Sequence, residues 1–342
     1  MQSRQRVFAA IHYQVPDRIP VMHTYLPAAL YQHGDGLKKL WAQFPQDFGD
    51  LSGDPMPAPR PECVSPDGKY YERQTDAWGV VWECSIFGIM GHPLQRPLDD
   101  VAQLTTYRAP PVPASQGLAF EAEKRAIDEH KKRFYARKGW VSVFEIMHAL
   151  RRFEDVLMDI YDDTPEINCL ADLITDYWAE VITSQIKAGA DGIQFGDDFG
   201  TQQAMMFDLD TWRRFFKPRY ARLIAPIKKA GMDVFFHSCG HTLPLVDDLA
   251  DLGVNVFWPQ MNVNDMTELS RRCRNRNICL MLHFDRQKLM SFGTPREIDQ
   301  AVKEAIERLG DPAGGIILYG EVDNNFPLAN VHALYEAFEK YR

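Results

Sequence analysis

From residue 138 onward, short apolar runs alternate with helical segments without a break, and that alternation leaves very few folds open. The runs fall at 140–144, 191–195, 233–236, 254–258, 278–284 and 314–319. Between them lie segments of helical pattern at about 146–161, 165–188, 209–230, 242–252, 264–274 and 295–309, with a last helix at about 328–341. Continuous apolar runs separated by helices build a parallel sheet covered by helices on its faces. Arg18–His23 and Asp47–Leu51 read as two further short strands, which brings the count to eight. Eight strands favour a closed (β/α)8 TIM-type barrel. The open doubly wound sheet is disfavoured because no Gly-x-Gly-x-x-Gly follows an early strand.

The N-terminal part is less regular. Residues 3–12 form a short amphipathic helix stopped by Pro16, and residues 27–44 are helical but broken at His33-Gly34-Asp35-Gly36. In the stretch 53–113, Pro55, Pro57, Pro59 and Pro61 exclude a regular element at the start. Two aromatic-rich runs follow, Trp78–Cys84 and Phe87–Leu94, which read as an antiparallel hairpin inserted into the barrel. Leu98–Tyr107 and Gln116–Phe134 are helical in pattern. Residues 1–342 therefore read as one barrel domain carrying an insertion.

Composition narrows the function classes. An apolar share of 45% supplies a large core, and a net charge of −9 offers no basic footprint for nucleic acid or an anionic membrane. No apolar stretch approaches the roughly 18–20 residues that span a bilayer. The first residues lack the apolar core of a signal peptide. The six cysteines, at 63, 84, 169, 239, 273 and 279, have no framework spacing and are expected as reduced thiols in the cytoplasm.

In a barrel of this kind the residues that end the strands line the mouth where chemistry is done. In chain order these are His23, Glu145 with His148, Asp197 with Asp198, His237 with Cys239, Gln260, His283 with Asp285, and Glu321 with Asp323. His237 and Cys239 are two apart, so both face one side of an extended chain, and Gly240 permits a sharp turn behind them. Imidazole and thiolate converging on one point suit a borderline-soft divalent metal, zinc first, which needs a third protein ligand and an open position. A core histidine and a buried thiol are the bland alternative. Glu321, Asp285, His283 and Glu145 are candidates for the third ligand.

Asp197 and Asp198 are adjacent carboxylates. Burial of both would leave one with a raised pKa, suited to a general acid or to orienting a ligand; a helix cap with a solvated neighbour is the alternative. Gln202 follows them in the same loop, and with Gln260 is a candidate substrate contact. Trp78, Trp82, Phe87, Met90 and Met56 from the insertion are packing residues or a lid over the mouth for a flat apolar substrate.

The same residues resemble the uroporphyrinogen decarboxylase superfamily, in its cobalamin-dependent methyltransferase branch. The matching elements are Pro16-Asp17-Arg18-Ile19-Pro20-Val21, Gly189-Ala190-Asp191-Gly192-Ile193 running into Asp197-Asp198, and Trp212 with Phe215-Phe216-Lys217-Pro218-Arg219-Tyr220. After them come His237-Ser238-Cys239-Gly240, Asp285 with Phe292-Gly293-Thr294-Pro295, Gly314-Gly315-Ile316-Ile317-Leu318, and Pro327 with Asn330. The resemblance implies a distorted barrel with an N-terminal extension. It also implies a zinc ion held by His-x-Cys and a cysteine after the last strand. Here that segment reads Tyr319-Gly320-Glu321-Val322-Asp323, so Glu321 stands where relatives carry the second thiolate. The decarboxylases grip their many-carboxylate substrate with arginines after the first strand, but no arginine lies between Arg18 and Arg60.

The resulting expectation is a zinc-dependent methyltransferase that moves a methyl group from a small O-methylated donor, methoxy-aromatic compounds included, to a corrinoid. No corrinoid-binding Asp-x-His-x-x-Gly is visible, so that cofactor is expected on a partner protein. Zinc would sit on His237, Cys239 and Glu321. Asp197, Asp198, His283 and Glu145 are the expected catalytic groups, and His23, Trp78, Gln202 and Gln260 the substrate contacts. A homodimer is a candidate assembly. A metal-free lyase and a non-catalytic tetrapyrrole- or corrinoid-binding protein are the rival readings.

Overall fold

A computed structural model describes residues 1–342. In chain order the strands are β1 (Val21–Tyr25), β2 (Glu72–Thr75), β3 (Val81–Cys84), β4 (His92–Gln95), β5 (Arg137–Val141), β6 (Gly192–Gly196), β7 (Asp233–Ser238), β8 (Val256–Pro259), β9 (Cys279–His283) and β10 (Ile316–Val322). Seven of them form one parallel sheet in the order β1-β10-β9-β8-β7-β6-β5, with helices between successive members from β5 onward. This is the TIM-type α/β barrel expected from the alternation.

The eighth stave is not a strand. Residues 47–51 have no ladder of their own, yet they fill the gap between β1 and β5. The Asp47 N–H donates to the Val21 carbonyl (2.9 Å), the Tyr135 N–H donates to the Asp47 carbonyl (3.4 Å), and the Asp47 carboxylate accepts from the Val21 N–H (3.0 Å). Gln46 completes the seam by exchanging two hydrogen bonds with the His23 backbone, at 3.0 and 3.1 Å. Side chains thus satisfy backbone groups that a regular strand would have paired.

Alternate residues of each strand face opposite sides of the sheet, and the two sides are separate cores. Met22, Phe235, Val256, Trp258, Cys279, Met281, Ile317 and Tyr319 pack inside the barrel together with Val7 and Ile11 of the helix Ser3–Ile11. That helix closes the end of the barrel where the strands begin, and Arg4 and Arg6 lock it through Asp191 and through Asp17 and Asp47. Val21, Val234, Phe236, Phe257, Leu280, Leu282, Ile316 and Leu318 face outward, beneath the helices.

Two further details differ from the expectation. The insertion is a three-stranded antiparallel sheet in the order β2-β3-β4, not a two-stranded hairpin. Its additional strand, Glu72–Thr75, is polar and mostly exposed, so it has no apolar alternation to betray it. The barrel strand expected at 140–144 sits at Arg137–Val141, with a register shift against β6 between Lys138 and Val141 and Gly139 at φ +81°. The irregularity sends Trp140 to the mouth instead of into the wall.

Candidate active site and metal centre

The register carries the inside–outside alternation to the ends of the strands. His237 pairs with Trp258 and with Gly196, His283 with Tyr319, and Thr24 with Glu321. His237, Trp258, His283 and Glu321 therefore all face inward, and they line a cavity of about 610 Å³ at the mouth. Its wall also includes Trp140, Asp198, Cys239, Gln260, Arg286 and Asp323. Gly196 leaves room for an indole, because a Cβ there would lie 2.4 Å from the Trp140 ring. A more open groove of about 710 Å³ lies on the outer face of Pro165–Ala188. Its Asp172 and Asp176 are already paired with Arg219 and Arg222.

Two strand-end loops are pressed together beside the cavity. Gly240 has φ +81°, and a Cβ on it would fall 2.1 Å from the Gly200 carbonyl. The Gly200 N–H donates to the Cys239 carbonyl (3.2 Å), the Cys239 N–H to Asp198 Oδ1 (2.7 Å), and the Phe199 N–H to Ser238 Oγ (3.0 Å). The glycine after the histidine and cysteine thus does more than turn the chain; it lets the Asp198 loop lie against the Cys239 loop.

Asp198, His237 and Cys239 consequently present one donor atom each within 4.8 Å of one another. His237 Nε2 lies 3.3 Å from Cys239 Sγ and 3.5 Å from Asp198 Oδ1. Four-coordinate zinc with bonds of about 2.0–2.3 Å places its donors roughly 3.3–3.8 Å apart. The tautomer also fits. His237 Nδ1 lies 2.9 Å from the Trp258 carbonyl, which can only accept, so the proton is on Nδ1 and the Nε2 lone pair faces the cluster. Burial lowers the His237 pKa and keeps the ring neutral. Burial first, and the Asp198 carboxylate second, push the Cys239 thiol well up; a cation beside it reverses that balance. This donor set suits zinc.

Glu321, expected as the third donor, is not in that group. Its carboxylate lies 3.0 Å from Arg286 Nη1 and 3.9 Å from His283 Nε2, and accepts from the Tyr319 hydroxyl at 3.4 Å. Arg286 is held in turn by Asp323 (2.7 Å). Burial raises the Glu321 pKa, with Arg286 opposing it. His283 Nε2 is buried and completes no hydrogen bond.

The remaining expected residues divide by the same alternation. Asp198 faces the cavity, whereas Asp197 points outward and is fully enclosed. Its carboxylate accepts from the Val143 N–H (2.7 Å), the Glu145 N–H (2.8 Å) and the Tyr220 hydroxyl. Burial and the nearby Glu145 push its carboxyl up to about 7 against those bonds. Asp197 anchors the turn after β5 to the β6 end. Glu145 stands one step behind the cavity, accepting from the Asp198 N–H (3.4 Å) and pairing with His148 (3.2 Å). Burial resists its ionisation, but His148, together with the Asp198 N–H and His237, holds the carboxyl below its ordinary value. Gln260 lines the cavity and accepts from the Gly240 N–H (2.9 Å), and Gln202 joins it at the rim (3.2 Å).

His23 and Trp78 lie elsewhere. His23 is odd in the alternation that sends Met22 inward, so its ring packs outward against Tyr335 at 3.8 Å, beneath the helix Leu328–Tyr341. Trp78 packs edge-on against Tyr177 of Pro165–Ala188 (4.9 Å) and does not line the mouth. Trp140, Trp258 and Arg286 were not anticipated as site residues. For Trp258 the signal was available, since it shares the parity of its neighbour His237 across the sheet; for Trp140 it was not, because the β5 irregularity cannot be read from the residues.

The family profile described as uroporphyrinogen decarboxylase (URO-D) matches residues 91–341. A sequence comparison with curated proteins gave no match. Among solved structures, a methyltransferase from Methanosarcina mazei superposes with a TM-score of 0.65 at 18% identity, covering 100% of this chain and 99% of that one. A B12-independent methionine synthase from Shewanella sp. W3-18-1 superposes with a TM-score of 0.44 at 12% identity, over 91% of this chain and 88% of that one. At 18% identity the M. mazei superposition speaks for the fold alone.

Proposed function

We propose that this chain, which belongs to the uroporphyrinogen decarboxylase family, is a zinc-dependent methyltransferase that takes the methyl group from a small O-methylated compound. The observation that carries the reading is the convergence of Asp198, His237 and Cys239 at the barrel mouth. The fold shared with the M. mazei methyltransferase supports it. In this reading Asp198, not Glu321, is the third zinc donor, and the acceptor is a reduced corrinoid carried by a separate protein.

When bound, zinc supplies a Lewis acid that makes an ether oxygen a better leaving group. The chain's own residues do the rest. The indoles of Trp140 and Trp258, whose ring centres are 5.9 Å apart, give the cavity an aromatic wall for a flat substrate. Gly240, through its contact with Gly200, keeps the Cys239 and Asp198 loops in register. Burial, then the charge of Arg286, holds His283 neutral, so its imidazole acts as a hydrogen-bond donor without a net charge. Arg286 balances Glu321 and Asp323 at the rim.

The test is transfer of methyl groups from a panel of methoxylated compounds to reduced cobalamin under anaerobic conditions. The expected result is turnover with at least one donor, abolished by a chelator and restored by zinc. No transfer across the panel, or transfer unaffected by chelation, contradicts the proposal.

A further inference from the structure

The geometry points to Trp258 as a positioning residue that fixes the tautomers of both mouth histidines, in opposite senses, with two different atoms. Its backbone carbonyl lies 2.9 Å from His237 Nδ1, and its indole N–H donates to His283 Nδ1 at 3.2 Å. A carbonyl can only accept and an indole N–H can only donate. The proton of His237 is therefore on Nδ1, and that of neutral His283 is on Nε2. Trp258 is 5% exposed and wedged among His237, His283 and Tyr319, with ring centres at 4.0, 5.5 and 4.6 Å.

The two consequences are distinct. His237 presents a lone pair from Nε2 to Cys239 and Asp198. His283 presents an N–H from Nε2, a buried donor that completes no hydrogen bond and has Glu321 Oε2 3.9 Å away. Resting on the methyltransferase reading, that N–H is the donor for substrate oxygen as negative charge develops on it, the role of a preorganised oxyanion contact. Without the indole N–H, the His283 proton is free to sit on Nδ1, and Nε2 becomes an acceptor facing the Glu321 carboxylate. The donor is then lost while every metal donor stays in place.

The two contacts can be separated, because Trp258→Phe deletes the indole N–H and keeps the carbonyl. In the unmodified full chain labelled with 15N-histidine, long-range imidazole spectra should show His237 as the Nδ1–H form and His283 as the Nε2–H form. A coupling across the hydrogen bond should connect Trp258 Nε1 with His283 Nδ1. In Trp258→Phe, His237 should be unchanged, His283 should populate the Nδ1–H form, zinc content should hold, and kcat should fall by about tenfold or more with little change in KM. The opposite tautomer at either histidine, or no coupling to the indole nitrogen, overturns the inference in the unmodified protein, even if the variant does not fold. A variant in which His283 keeps one Nε2–H form, or kcat is unchanged, also overturns it. Should the unmodified protein transfer no methyl group, the functional reading fails, while the spectra still decide the role of Trp258.

Discussion

His23 offers a quantitative test of the inside–outside assignment, because its position predicts a stability effect and no binding effect. The ring is enclosed against Tyr335 and Phe338, and its Nδ1 has no partner. Burial first, and the charge of Arg342 second, lower its pKa from 6.5 to about 3, with a hydrogen bond to the Phe44 backbone opposing them. A histidine depressed on folding contributes stability that is present above its unfolded value of 6.5 and is lost as pH falls toward about 3. At about pH 4 the unfolded chain holds the proton and the folded chain does not, so the loss attributable to this one ring is about 3 kcal/mol. Urea unfolding of the unmodified protein and of His23→Gln, each at about pH 7 and about pH 4, isolates that difference. The unmodified protein should lose about 3 kcal/mol more than the variant between the two conditions, and the variant should keep its KM for a methyl donor. Equal losses, or a raised KM without loss of stability, would refute the placement of His23 beneath the outer helices.

Asp197→Ala should destabilise the fold by roughly 3–5 kcal/mol in denaturant titrations, because the buried Val143 N–H, the half-buried Glu145 N–H and the Tyr220 hydroxyl lose their acceptor. A change below about 1 kcal/mol would mean that the loop satisfies those groups some other way. Gly240→Ala forces a Cβ to within 2.1 Å of the Gly200 carbonyl at a left-handed φ. It should cost about 2–4 kcal/mol and reduce zinc retention, read by thermal melts with metal analysis. Unchanged melting and zinc content would show that the two loops are not coupled.

Much of the architecture is legible because strands buried on both faces announce themselves as apolar runs, and five of the seven barrel strands coincide with such runs, whereas β5 shares only Trp140 and Val141 with its run. The first strand, β1, is legible in the short run Arg18–His23. What was hidden is instructive. The gap at Asp47 is closed by side-chain hydrogen bonds to backbone, and these leave no period in the sequence. The polar strand β2 is stabilised by its partners and not by its own pattern.

At the site, residue types found the mouth, but parity was needed to sort them. Counting alternate positions from His237 across the register puts Asp198 inside and Asp197 outside, and likewise separates His283 from His23. The pairing of Glu321 with Arg286 is a matter of side-chain geometry after two strand ends, and no spacing rule foretells it. The family resemblance points to Glu321, which occupies the position of a relative's cysteine; the nearest carboxylate to His237 and Cys239 is instead that of Asp198, one loop away.

A zinc centre on Asp198, His237 and Cys239 is open to X-ray absorption of the zinc-loaded protein. The protein should hold about one zinc per chain, with one sulfur and two protein nitrogen or oxygen donors in the first sphere. Asp198→Ala should lose the metal, whereas Glu321→Gln should retain it. No stoichiometric zinc, a sphere without sulfur, or loss of the metal in Glu321→Gln but not in Asp198→Ala would contradict it.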